Sequence, residues 1–390
     1  MPMNKIEKLI KELCPNGVEW KNVKDVILSL KTGLNPRDNF KLNEENADCF
    51  YITGKEIYNN RINISEKTDL ILREVVQLIN KRAQLHSNVL LFASTGTGTV
   101  GRMAIVKDYK EDWNVSETLY IITTQENIIS IEYLMYILYS DLSISQYAPK
   151  ISKGSVPHLK VVDLLNVSIP VPPLPIQTEI VRILDKFVEQ QEQLERLIEL
   201  RKKQYEYYRE EMLKPKEGEK WETKTLGEIC TITRGKRLTK SQLSETAKYK
   251  VYHGGIDPIG YYKECNRKAD TVMVINVGAS AGTIGYSNED FWSSDGCFCL
   301  SHTDIALSRF LYYSLLEVGY IIESRVRHAG IPTLDSKVLE ELMINIPSKQ
   351  KQNTIINSLK EFESSISALT SALELSKKRY EYYRDKMLRF

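Results

Sequence analysis

The stretch "ELRKKQYEYYREEML", residues 199–213, returns almost unchanged as "ELSKKRYEYYRDKML", residues 374–388. Tyr205, Tyr208 and Met212 recur as Tyr380, Tyr383 and Met387, an offset of 175. The offset holds upstream without a gap: Gln177 matches Gln352, Pro172 matches Pro347, Leu159 matches Leu334, and Val156-Pro157 matches Ile331-Pro332. Self-similarity at a fixed spacing marks a duplicated unit. Towards the start of each copy the match loosens. Gly98-Thr99-Val100-Gly101 aligns with Gly282-Thr283-Ile284-Gly285 at an offset of 184, and Trp20 followed by Gly33 resembles Trp221 followed by Gly235 at about 201.

The repeated stretch closes a long helical pattern. Between Pro175 and Pro215 there is neither proline nor glycine. Apolar residues recur at Ile180, Leu184, Phe187, Leu194, Ile198, Tyr205, Tyr208 and Met212. The second copy has Ile355, Leu359, Phe362, Ile366, Leu369, Leu373, Tyr380, Tyr383 and Met387. Steps of three and four give the 3.5-residue period of a coiled-coil seam, interrupted by Gln191, Arg201 and Ser376. A helix from Gln177 to Leu213 is about 55 Å long at 1.5 Å per residue. Alone in water it has nothing to cover its seam, so it needs a partner. Two matching helices in one chain predict an antiparallel pair; the alternative is that each helix packs back on its own domain.

The expected fold class is α+β, with two pseudo-repeated globular domains separated by two long antiparallel helices forming a coiled coil. Residues 1–175 form the first domain, 176–214 a central spacer helix, 215–347 the second domain and 348–390 a C-terminal spacer helix. Lys214-Pro215-Lys216-Glu217-Gly218 reads as a linker. Strands are expected at 49–53, 89–93, 103–106, 118–123 and 167–171 in the first domain. In the second they are expected at 272–277, 283–286, 297–301 and 342–346. Helices are expected at 131–140 and 307–318. This is not the regular βαβ alternation of a doubly wound sheet.

A chain of 390 residues requires more than one core, and 42% hydrophobic with 27% charged residues fits a globular protein. No run suits a bilayer span, and the opening MPMNKIEKLIKELC lacks the apolar core of a signal peptide, so a cytoplasmic protein without a membrane partner is expected. The six cysteines show no C-x-x-C pair, and the five histidines are scattered, so no metal site is expected.

A net charge of +2 does not announce a nucleic-acid binder, so any such function must reside in local clusters. Such clusters sit beside glycines at matching places in both copies. Arg234-Gly235-Lys236-Arg237 with Lys240 corresponds to Lys31-Thr32-Gly33 with Arg37. Arg325, Arg327 and His328 precede Ala329-Gly330-Ile331-Pro332, as Lys150, Lys153, Gly154 and Ser155 precede Val156-Pro157-His158. Cations beside glycines suit phosphate contact.

The run "NVLLFASTGTGTVGRMAIV", residues 88–106, contains Gly96, Gly98 and Gly101 as G-x-G-x-x-G. A dinucleotide site would need a helix opening from it. Arg102 to Lys107 is instead a β-forming run. In the second copy Ser280 replaces the first glycine, which favours a shared β turn over a nucleotide site. Thr95, Thr97 and Arg102, with Ser280 opposite, are candidate contacts of that turn. There is no P-loop, no G-x-S-x-G and no Asn-Pro-Pro-aromatic run of adenine methylation, so no self-sufficient catalytic constellation is visible.

These residues resemble the specificity subunit of type I restriction–modification systems. The resemblance rests on "SIPVPPLPIQTEIVRILDKF" and "INIPSKQKQNTIINSLKEF", on the K-K-x-Y-E-Y-Y-R helix ends, and on "LIKELCPNGVEWKNVKDV" and "WETKTLGEICTITRG". The unit ends "KGSVPHLKVVDLLNVSIP" and "HAGIPTLDSKVLEELMINIP" complete it. It implies a non-catalytic reader of double-stranded DNA with two target recognition domains, each reading half of a split, asymmetric site. The helices would act as ruler and as dock for two methyltransferase subunits, to which restriction subunits add. S-adenosylmethionine, ATP and magnesium would belong to those partners, with no cofactor on this chain. The competing reading is a coiled-coil scaffold that never reads DNA.

Overall fold

Val89-Leu90-Leu91-Phe92-Ala93 is apolar without alternation, so as a strand it must be covered on both faces. The computed structural model, which describes residues 3–37, 39–301 and 305–390, covers it so. All five residues are buried. Leu90 and Phe92 join a core with Tyr133, Leu134 and Leu138 of the helix Ile131–Leu138. Val89, Leu91 and Ala93 join a second core with Ile52 and Val115.

The chain divides into two units, Met1–Gln193 with Leu373–Phe390, and Leu194–Ala372. The first holds a four-stranded antiparallel sheet of β1 (Ile27–Thr32), β2 (Val89–Ala93), β3 (Met103–Val106) and β4 (Leu119–Thr124), in the order β1-β4-β2-β3. The second holds β5 (Thr231–Arg234), β6 (Thr271–Ile275), β7 (Ile284–Ser287) and β8 (Cys297–Ser301), in the order β5-β8-β6-β7. The topology is the same twice.

Smaller sheets repeat too. Cys49–Ile52 pairs antiparallel with Leu70–Ile71 and parallel with Trp113–Val115. Tyr249–Tyr252 pairs antiparallel with Gly260–Tyr262 and parallel with Trp292–Ser293. Trp20–Asn22 pairs with Ser168–Pro170, and Glu222–Thr225 with Met343–Ile346. The α+β expectation is met, with strand ends shifted by a residue or two from the sequence reading.

The long helices are α1 (Leu174–Met212) and α2 (Lys349–Met387). The first begins ahead of Gln177 because Pro175 is tolerated in a first turn, where its missing N–H has no intrahelical role. Gln177, fully buried, ties that turn to the domain. Its amide donates to the carbonyls of Ile128 at 2.8 Å and Pro172 at 2.7 Å, and its oxygen accepts from the Ser130 N–H at 2.9 Å. In the second unit Gln352 donates to Pro347 at 3.0 Å.

In the first unit Ile180 and Leu184 lie in one core with Met387 and Leu388, and Phe187 stacks on Tyr383. In the second Tyr208 stacks on Phe362, Tyr205 donates to Glu363, and Met212 packs beside Ile355 and Leu359. Each partnership joins the start of one helix to the end of the other, so the helices run antiparallel. The first seam positions also pack on their own domain: Ile355 and Leu359 touch the cluster of Phe310 and Tyr313. Leu194, Ile198, Ile366, Leu369 and Leu373 are half-buried, as mid-seam positions of a two-helix pair should be.

The helix Met3–Leu13 has no counterpart among the expected elements. Eleven residues are too few to be stable alone. Ile6, 1% exposed, and the Lys5–Glu179 ion pair at 2.9 Å hold it on α1.

Candidate nucleic-acid interface

The sheet gathers what the sequence scatters. The ends of β1 and β2 and the beginnings of β3 and β4 lie at one edge, because antiparallel order puts Thr32 opposite Tyr120, Leu119 opposite Ala93 and Phe92 opposite Met103. The Lys31–Arg37 segment leaves from β1 and the glycine turn joins β2 to β3 at that same edge. In the second unit Arg234 faces Phe298, Ile275 faces Cys297 and Val274 faces Ile284, which gives the same arrangement.

The loop carrying Lys153 and Ser155 is stitched to the glycine turn. The Gly96 N–H donates to Pro157 at 3.0 Å, Leu159 donates to Ser94 at 2.8 Å, and the Thr95 hydroxyl meets His158 Nδ1 at 2.8 Å. Its counterpart is built alike: Gly278 donates to Pro332 at 2.9 Å and Leu334 to Asn276 at 2.9 Å. Gly278, not Ser280, therefore holds the place of Gly96, and Gly282 that of Gly101, each of the latter pair donating to the end of the preceding strand, at Ile275 and Ala93. This corrects the sequence alignment, in which Ser280 replaced the first glycine. The inner hydrogen bond recurs as well, Ser152 to His158 at 3.0 Å and Arg327 to Thr333 at 2.9 Å.

Two glycines make the remaining approach. A Cβ on Gly33 would lie 1.8 Å from the Val115 carbonyl oxygen, and one on Gly235 would lie 2.1 Å from that of Ser293. Only hydrogen fits there, so the basic segments lie flat on the strand beside them.

The glycine fingerprint is a β connection. Gly96, Gly98 and Gly101 all have positive φ, at 120°, 73° and 87°. After Arg102 the chain enters β3 and pairs back with β2, so no helix N-terminus stands behind the turn.

Among the candidate contacts, Lys31, Arg37, Thr97, Lys153, Ser155, Arg234, Lys236, Arg237, Lys240, Arg325, Arg327 and His328 are exposed. Several have partners. Arg234 lies over the Phe298 ring at 5.5 Å, and Arg327 pairs with Asp335 at 3.6 Å. Thr32, Thr95, His158 and Ser280 are half-buried; Thr32 accepts from Arg82 at 3.1 Å. Arg102 turns inward to donate to the Ile57 carbonyl at 3.2 Å, the place of a brace.

A further loop lies beside the turn that the sequence reading did not single out. Gly54 approaches Thr99, and Gly254 approaches the Val277 carbonyl oxygen. In the second unit this loop brings His253 within 3.1 Å of Ser294 Oγ and 3.4 Å of Asp295. The only sequence signal was Gly54 and Gly254 at matching places ahead of the turns.

Burial raises the Cys49 thiol to about 11, and those of Cys230 and Cys297 to about 12, so these thiols are protonated and inert at neutral pH. Among the described residues no cluster of metal-ligating side chains occurs, and no helix is long and apolar enough to cross a membrane.

This duplicated, loop-bearing scaffold has known relatives. The family model for the type I restriction modification DNA specificity domain matches the chain twice, over residues 15–202 and 218–375. The chain belongs to that family.

A putative type I restriction enzyme specificity subunit of Haemophilus influenzae is 30% identical over 283 residues, 65% of this chain and 71% of the relative. The EcoR124I/EcoR124II specificity subunit of Escherichia coli is 30% identical over 250 residues, 56% of this chain and 60% of the relative. The crystal structure of the type I restriction-modification system S subunit from M. genitalium shares the fold, with a TM-score of 0.65 at 18% identity over 96% of this chain and 97% of that one.

Proposed function

We propose that this chain is the non-catalytic reading subunit of a type I restriction–modification complex, with one DNA half-site taken by residues 1–175 and the other by 215–347. One observation carries the reading. Each unit builds the same three-loop edge, stitched by the same backbone hydrogen bonds, yet presents different side chains there. Identical frames with different readers suit an asymmetric bipartite site. Exposed Lys and Arg supply phosphate contact, and the variable polar side chains read base edges.

The helices set the spacer between half-sites. Ser367-Ala368-Leu369-Thr370 is followed by the near-repeat Ser371-Ala372-Leu373-Glu374, and one such repeat adds about 6 Å of helix.

Leu200 and Tyr207 are 51% and 60% exposed, and their counterparts Leu375 and Tyr382 are 52% and 59% exposed. Apolar residues left open at the same offset suit two copies of one partner, the modification subunit. That subunit carries S-adenosylmethionine, and the restriction subunits carry ATP and magnesium.

The test exchanges residues 215–347 for those of another family member and maps methylated adenines in the host. One half-site should change while the other and the spacer persist. A change in both half-sites would overturn the assignment.

A further inference from the structure

At the tip of each stitched loop stands an exposed β-branched apolar residue. Val156 is 56% exposed and Ile331 70% exposed. They occupy matching places, each immediately before the proline whose carbonyl accepts from the glycine turn. Single exposed apolar residues are ordinary on a protein surface. This pair is set apart by its surroundings.

Each tip is held at its base, by the Gly96–Pro157 and Gly278–Pro332 hydrogen bonds, and lies open at its crown. A Cβ on Gly154 or Gly330 would meet nothing within 4 Å. The flanking residues differ between copies, Lys153 and Ser155 against His328 and Gly330, while the branched apolar side chain is kept. An exposed cation precedes each tip in sequence, Lys153 ahead of Val156 and Arg327 ahead of Ile331, the latter paired with Asp335 at 3.6 Å. A solvated loop has no use for an aliphatic group presented at an anchored tip close to a cation. A loop that meets a nucleic acid does, because cations neutralise phosphates while an aliphatic wedge excludes water from the base stack.

Resting on the DNA-reading assignment above, we propose that Val156 and Ile331 are paired apolar wedges, each pressed into the base stack of its own half-site. Proline and the hydrogen bond from the glycine turn anchor each loop beside its wedge, so less loop ordering opposes insertion. The wedge acts by contact and by unstacking, which makes it a device for opening the duplex as well as for docking.

The test uses the chain assembled with its modification subunits and a duplex bearing both half-sites. 2-Aminopurine is placed in one half-site or the other. Val156→Ser should weaken binding about tenfold, the scale of one lost base-pair contact. It should abolish the fluorescence rise in the first half-site only, and leave the slope of log affinity against log salt unchanged because no phosphate contact is lost. Ile331→Ser should do the same in the second half-site, and Val156→Ile should restore wild-type behaviour. Both side chains are exposed, so the variants keep the fold. Wild-type affinity and fluorescence in both serine variants would overturn the wedge while leaving DNA reading intact. A loss shared equally by both half-sites would also overturn it. Absence of sequence-specific binding by the wild-type complex would overturn the underlying reading.

Discussion

The ring of Phe187 lies stacked on that of Tyr383, centroids 5.7 Å apart and 23° from parallel. In the second unit Tyr208 meets Phe362 in the same way, at 5.4 Å and 26°. From Phe187 to Tyr208 is 21 residues forward along α1, and from Tyr383 to Phe362 is 21 residues back along α2. Each aromatic pair thus sets an antiparallel contact of the two helices within its own unit. Phe187→Ala removes a half-buried ring and its stacking, and should lower stability by about 2–3 kcal/mol. Thermal unfolding followed by helix ellipticity checks it. A shift no larger than that of an exposed-site control such as Lys186→Ala would show that the stack is ornamental.

Gln177 is the polar pin of α1. Gln177→Leu preserves size but strands the Ser130 N–H and the carbonyls of Ile128 and Pro172 without their partner. Each buried unmade hydrogen bond costs about 1–3 kcal/mol, so a loss of about 3 kcal/mol or more is expected in denaturant unfolding. Gln177→Glu tests the same point from the other side, since a carboxylate cannot donate to those carbonyls.

Gly33→Ala and Gly235→Ala put a methyl group into a neighbouring strand's backbone, which cannot yield as a side chain could. Each should displace its basic segment. Recognition of one half-site should fall more than tenfold while the other is spared, as read by methylation of duplexes mutated in one half-site at a time. Gly154→Ala, which meets open space, is the control and should be near neutral.

The helices were legible because a period of 3.5 over many turns needs a long apolar seam covered, by a partner helix or by the helix's own domain, and the first seam positions are covered by both. Strands such as Val89–Ala93 were legible because an uninterrupted apolar run flanked by turn residues must be covered on both faces. The helix Met3–Leu13 was not, since its stability comes from Ile6 and Lys5 meeting α1, far off in sequence. The candidate loops were found one by one through glycines and cations. Their assembly at one sheet edge depends on strand order, which local pattern does not encode. Arg102 illustrates the remainder: from sequence it is one more cation beside glycines, and only the fold reveals that the Ile57 carbonyl claims it.

Glu179 is nearly buried, with 5% of its side chain exposed, and it accepts from Arg182 and Lys5. The hydrogen bond from Arg182, joined by that from Lys5, outweighs burial and holds the carboxyl at about 2, below its ordinary 4.5. A depressed carboxyl stabilises the fold fully above its unfolded value and loses that contribution as pH falls towards its folded one. The first unit should therefore weaken between about pH 4.5 and pH 2. Both cations are largely open to water, so about 1–2 kcal/mol is the expected size. Glu179→Gln should flatten this part of the pH–stability curve, and an unchanged curve would refute the assignment.

Arg237 is exposed and follows Gly235 out of β5. If it meets a backbone phosphate, its removal frees one fewer counterion on binding. Arg237→Ala should therefore weaken binding to all sequences alike and reduce the salt slope by about one. If it instead meets a base edge, discrimination at one position should relax by about 1–3 kcal/mol with less effect on non-specific duplexes. Equilibrium binding at several salt concentrations, with cognate and scrambled second half-sites, separates the two. The phosphate role is expected, because Gly235 holds the segment against the Ser293 backbone and Arg237, two residues on, is exposed. A variant that keeps the full salt slope and loses discrimination at one base pair would reverse that expectation.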